Sequence, residues 1–139
     1  MVDQAMLQPV LAMAGLTAIV WVRMFRERLA QMKRERIHPQ AVAVSSQAAA
    51  RLTDSRSADN FRNLFELPVL FYAAAFTAIL MGMVTPVALG LAWAFVALRV
   101  VHSLIQCTYN RVMHRFYAYA LGGATLWALW IYLALSLLP

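Results

Sequence analysis

From Leu67 to Leu98 the chain carries no charged side chain. A membrane-spanning helix uses about 20 apolar residues, so this stretch is too long for one span and far too apolar for a water-facing surface. Thr85-Pro86 lies near its middle, with Gly82 just before. Proline lacks the N–H that a helix interior needs, so the chain is expected to turn there and return. The stretch therefore predicts two spans, about 65–84 and 87–107. A first span of about 5–25 precedes them, and a fourth of about 116–138 follows. In lipid every backbone polar group must find a partner inside the protein, so the spans are helices. The predicted fold is all-α, an integral membrane antiparallel four-helix bundle forming a single domain over residues 1–139.

Charge placement supports the count of four. Nine of the twelve Lys and Arg lie from Arg23 to Arg62, between spans one and two, and Arg111 and Arg115 lie between spans three and four. The Thr85-Pro86 turn and both termini have none. Four spans put both basic connections on one side, which the positive-inside rule makes cytoplasmic, with both termini outside. The abundance of Ala and Arg suggests a bacterial inner membrane. The first charge is Asp3, and Arg23, Arg26 and Arg28 follow the first apolar run, so that run reads as a retained span and not as a signal peptide. With 13% charged residues against roughly a quarter in soluble domains, the net charge of +6 belongs to a membrane surface and not to a nucleic-acid interface. In the basic loop of about 26–62, Arg26 to Arg36 extends span one as a helix and His38-Pro39 ends it. Ala41 to Ala50 reads as a flexible surface loop.

Small residues at a spacing of four, Ala74, Ala78 and Gly82 in span two and Ala118 and Gly122 in span four, allow close helix approach. The one cysteine, Cys107, reads as a small buried hydrophobe, and no metal site is expected. Trp127, Trp130 and Tyr132 are candidate interface anchors.

Span three carries the strongest functional signal. At about 100° per residue, Arg99, His102, Ser103, Gln106, Tyr109 and Asn110 fall within about 120° of arc. Lipid cannot satisfy these groups, so the stripe faces either an internal polar network or a ligand site. Glu66 opens span two, with Asn60 and Asn63 at a spacing of three before it, and is the expected carboxylate partner of Arg99. Arg115 leads into span four. These groups would suit an anionic ligand with amine and carboxylate functions, or a lipid head group. No internal repeat and no interrupted span of the transporter kind is apparent.

Three segments carry a resemblance to a known family: Asn63-Leu64-Phe65-Glu66-Leu67-Pro68, Arg99-Val100-Val101-His102, and Asn110 to Arg115 leading into an aromatic helix with glycines. Together with the long basic first loop, they resemble the MAPEG family (membrane-associated proteins in eicosanoid and glutathione metabolism) over essentially the whole chain. The resemblance implies a homotrimer binding glutathione between subunits near the cytoplasmic face. The reaction would be glutathione transfer to lipophilic electrophiles, or reduction of lipid hydroperoxides. Asn63 and Glu66 would hold the glutathione backbone within the same network as Arg99, and Arg115 would stabilise the thiolate. Arg26, or Arg23, would reach a neighbouring subunit's site. Arg62, His102, Gln106 and Tyr109 complete the expected binding set. A free thiol titrates near pH 8.5, and a neighbouring cation favours the reactive anion. Two positions depart from the family pattern: Asp59 stands where an Arg is common, and Gln106 where a Tyr is common. The alternative reading is a non-catalytic multi-pass scaffold or lipid-head-group-binding protein, with the stripe as a structural network.

Overall fold

A computed structural model describes residues 2–138. The chain is helical: α1 spans Val2–Arg34, α2 Ser45–Arg51, α3 Arg56–Asn63, α4 Leu67–Leu80, α5 Pro86–Cys107 and α6 Val112–Leu135, with a 3-10 turn at Pro39–Val42. Four helical stretches, Gln4–Arg34, Arg56–Leu80, Pro86–Cys107 and Val112–Leu135, are long and apolar enough to cross a membrane. Large apolar side chains such as Leu11, Ile19, Leu80, Leu104 and Leu121 are exposed on their outer faces, as a lipid solvent requires.

The core is built on small residues. Ala74, Ala75 and Ala78 of α4 and Ala88 and Ala92 of α5 are fully buried, and Phe71 stacks on Phe95 with ring centroids 5.0 Å apart. Met6 and Met13 of α1 and Leu126, Leu129 and Leu133 of α6 close around them. Gly82 does not join the Ala74–Ala78 face. It lies beyond the end of α4 with φ +63°, where it supplies the left-handed turn that a residue with a Cβ resists. Thr85 then starts α5, its Oγ1 accepting from the Ala88 N–H at 3.2 Å and pairing with the Tyr132 hydroxyl at 2.8 Å. That pair ties the start of α5 to the end of α6. Of the three aromatic anchor candidates, Trp127 is exposed, Tyr132 makes this bond, and Trp130 packs against the core with a buried indole N–H that finds no acceptor among the described residues.

Two connecting regions differ from expectation. Ala41 to Ala50 is not an unstructured loop, since a 3-10 turn and the start of α2 occupy it. The second crossing is also not one rod. Pro68 sits in the first turn of α4, and its ring cannot accept a continuous helix from α3. The chain therefore turns through Leu64, Phe65 and Glu66 between the two helices. Buried Leu64 anchors the turn, its N–H donating to the Asn60 and Phe61 carbonyls at 3.1 and 3.2 Å.

The basic segment after span one is held in place by specific bonds. The buried side chain of Gln31 donates to Thr53 Oγ1 at 3.1 Å and to Glu35 Oε1 at 3.0 Å. Arg23 Nη2 donates to the Cys107 carbonyl, joining α1 to the last turn of α5. Arg56 donates to both oxygens of Asp54, at 2.9 and 2.8 Å, which holds that carboxyl below its ordinary range.

Candidate functional site

The last turns of α5 carry three buried polar side chains in helical register, Arg99, His102 and Gln106, with Ser103 beside them. The turn before α4 brings Asn63 and Glu66 against them, and the first turns of α6 bring Arg115 and Tyr119. A pocket of about 300 Å³ opens among these groups, lined by Asn63, Glu66, His102, Val112, Arg115, Phe116 and Tyr119.

Most of the polar groups there satisfy one another. Gln106 Oε1 accepts from Asn63 Nδ2 at 3.0 Å and lies 2.9 Å from His102 Nε2. His102 Nδ1 faces the Arg115 carbonyl oxygen at 3.3 Å. Both of these partners are acceptors, and a neutral imidazole has one N–H, so it donates to one of them at a time. A second cluster docks α3 on α5. Asn60 donates to Cys107 Sγ at 3.4 Å and accepts from Ser103 at 3.3 Å, while Ser57 reaches the same sulfur at 3.8 Å. Cys107 is the buried small residue that the sequence suggests, and its neighbours are polar.

Arg99 is different. Its side chain is fully buried, and no acceptor among the described residues lies within hydrogen-bond reach of Nε, Nη1 or Nη2. The expected Glu66–Arg99 ion pair is not formed. The ion pairs among the described residues are Arg23–Glu27, Arg34–Glu35, Arg56–Asp54 and Arg62–Asp59. Glu66 is exposed at the pocket, at the N-cap of α4, and makes no capping bond. The guanidinium instead lies over aromatic faces, 4.8 Å from the Tyr119 centroid and 5.7 Å from that of Phe95. Such cation–π contacts are worth about 2 kcal/mol when desolvated. They offset part of the burial cost and leave five N–H donors without acceptors. Gly122 gives the guanidinium room: a Cβ there would sit 3.3 Å from Arg99 Nη2, a tight contact that the side chain would have to relieve by a few tenths of an ångström.

The remaining candidates lie apart from this pocket. Tyr109 is 58% exposed, and its hydroxyl pairs with His114 Nδ1 at 3.1 Å. Helix α5 has ended by then, with Thr108 at φ −114° and ψ −101°, so the 100° step no longer applies. Arg62 points to a separate polar pocket of about 430 Å³ under the basic loop, near Asp59. Arg26 is exposed and lines a groove of about 740 Å³ along the outside of α1. Tyr119 and Gly122, which shape the surroundings of Arg99, escape the sequence reading as site residues.

Four apolar spans with this polar pocket at their basic end define a multi-pass membrane protein. The sequence model of the MAPEG family matches residues 6–135, and the chain belongs to that family. No curated protein and no solved structure matches it.

Proposed function

We propose that this chain binds glutathione at the pocket lined by Asn63, Glu66 and Arg115, with Arg99 buried against Tyr119 of its wall, and uses it in a transferase or peroxidase reaction on lipophilic electrophiles. The observation that carries the reading is the buried Arg99 guanidinium with no acceptor among the described residues, set against Tyr119 of a pocket edged by an amide, a carboxylate and a second arginine. Glutathione has complementary groups: carboxylates for guanidinium, an ammonium for Glu66, and peptide groups for Asn63. Arg115 stands at the pocket for the sulfur. When bound, glutathione supplies the nucleophilic thiolate. Arg115 lowers the energy of the charged sulfur, Arg99 anchors a carboxylate, and the surrounding apolar spans admit the second substrate from the bilayer.

In this reading the helices alternate in direction and three copies assemble. Arg26 serves a neighbouring subunit from the outer groove of α1, and Arg62 and Tyr109 contribute only through that assembly. The basic end is cytoplasmic and both termini lie outside, in a bacterial inner membrane.

The test is glutathione-titrated ultraviolet difference spectroscopy for thiolate, paired with calorimetry. Wild type shows saturable binding and a thiolate signal, and Arg115→Ala raises the bound thiol's pKa by about one unit. Absence of glutathione binding by folded protein overturns the assignment.

The Asn63–Gln106–His102 chain, satisfied within the protein, favours a second reading as a scaffold or lipid-head-group binder. In that case Arg99→Leu combined with Glu66→Leu leaves folding intact and removes no glutathione-dependent activity.

A further inference from the structure

Arg115 lies at the pocket wall, half-buried, and its side chain has one hydrogen-bond partner among the described residues: Nη1 donates to Asn110 Oδ1 at 2.8 Å. Asn110 is also backbone-constrained. Its φ is +50°, the left-handed region that Asn tolerates better than most residues with a Cβ. Its N–H donates to the Ile105 carbonyl at 2.8 Å, closing the end of α5. The left-handed turn thus places an amide oxygen one turn below the start of α6, within reach of a guanidinium that would otherwise be free to rotate.

The chemistry of that partner matters. A guanidinium has five N–H donors, and one amide oxygen occupies only one of them. The amide is neutral, so it orients the cation without cancelling its charge. A carboxylate at the same position would hold the group equally well and compete with any anion for it. We propose that Asn110 is a positioning residue that aims the Arg115 guanidinium at the sulfur of a bound thiol. This rests on the assignment of Arg115 to the thiolate.

The test is the thiolate titration of bound glutathione in wild type, Asn110→Gly and Asn110→Asp, with thermal stability measured in parallel. Glycine keeps the left-handed backbone and removes the oxygen. It lowers the thiolate fraction near neutral pH about threefold, with glutathione affinity changing less. Aspartate keeps an oxygen acceptor and adds a charge, and it lowers that fraction about tenfold. A merely structural Asn110 gives wild-type thiolate behaviour in Asn110→Gly, and that result overturns the proposal. Should Asn110→Gly fail to fold, an unchanged titration in Asn110→Asp overturns it as well. A wild type that binds glutathione without forming thiolate removes both this proposal and the Arg115 assignment. A wild type that forms thiolate and an Asn110→Gly that does so equally well remove this proposal alone.

Discussion

Two groups of buried polar side chains share α5, and they are satisfied to different degrees. Around Cys107, Asn60 bonds to the sulfur and to Ser103, and Gln106 collects Asn63 and His102. Further into the span, Arg99 has no hydrogen-bond partner among the described residues and lies over ring faces instead. Satisfied clusters fix α3 and α6 against α5, at little net energetic gain but with high specificity of position. An unsatisfied guanidinium does nothing for position and costs stability. The first arrangement is what a scaffold needs, and the second is what a binder of anions needs.

The sharpest way to break this contrast is Arg99→Met. Glutathione affinity falls at least about 100-fold, close to 2.7 kcal/mol, while thermal stability in detergent holds or rises because an uncompensated buried charge is gone. A fall in stability with affinity intact would put Arg99 in the structural group. Gln106→Leu is the converse test. It orphans Asn63 Nδ2 and His102 Nε2, and stability drops by about 2 kcal/mol. Affinity changes less than in Arg99→Met, as read by calorimetry on protein that remains folded.

The contrast was partly legible in the amino-acid order. Arg99, His102 and Gln106 stand out because each interrupts an apolar helix, and helical spacing alone puts them on one side. Tyr119 carries the cation–π contact yet escaped notice, because a tyrosine in an aromatic-rich span reads as packing. Gly122 reads as a close-packing site, and its service to Arg99 depends on the crossing of α5 and α6, which periodicity does not give. Tyr109 was misplaced for a local reason: the helix stops at Cys107 and the angular extrapolation runs past it. Arg62 adjoins Asn63 in sequence but points to another pocket, since neighbours on a helix diverge by about 100°.

The smallest expected effect lies outside both groups, in the basic segment. Asp54 is held below its ordinary value of 3.8 by Arg56. A depressed folded-state value means the bond contributes stability above the ordinary carboxylate range, and this is lost as pH falls through the folded value. Both side chains are 43% exposed, so acid unfolding of Asp54→Asn and wild type should differ by only about 0.5 kcal/mol, the gap closing as pH falls through the depressed folded value. A larger gap would show that the segment is more tightly coupled to the spans than its surface bonds suggest.

The turn ahead of Pro68 has a mechanical consequence. Residues of one continuous helix keep their relative heights and azimuths through its ladder of backbone bonds. Asn63 ends one helix and Glu66 stands at the N-cap of the next, so turn-type bonds, Glu66 N–H to the Asn63 carbonyl at 3.3 Å and Val69 N–H to the Glu66 carbonyl at 3.1 Å, carry the chain from one to the other. The placement of Asn63 and Glu66 opposite α5 depends on Leu64 seated in the core, on the amide bond from Asn63 to Gln106, and on the Asn60 and Ser57 bonds that dock α3. Two of the seven lining residues are therefore carried on an articulated joint, and the other five on two rigid rods.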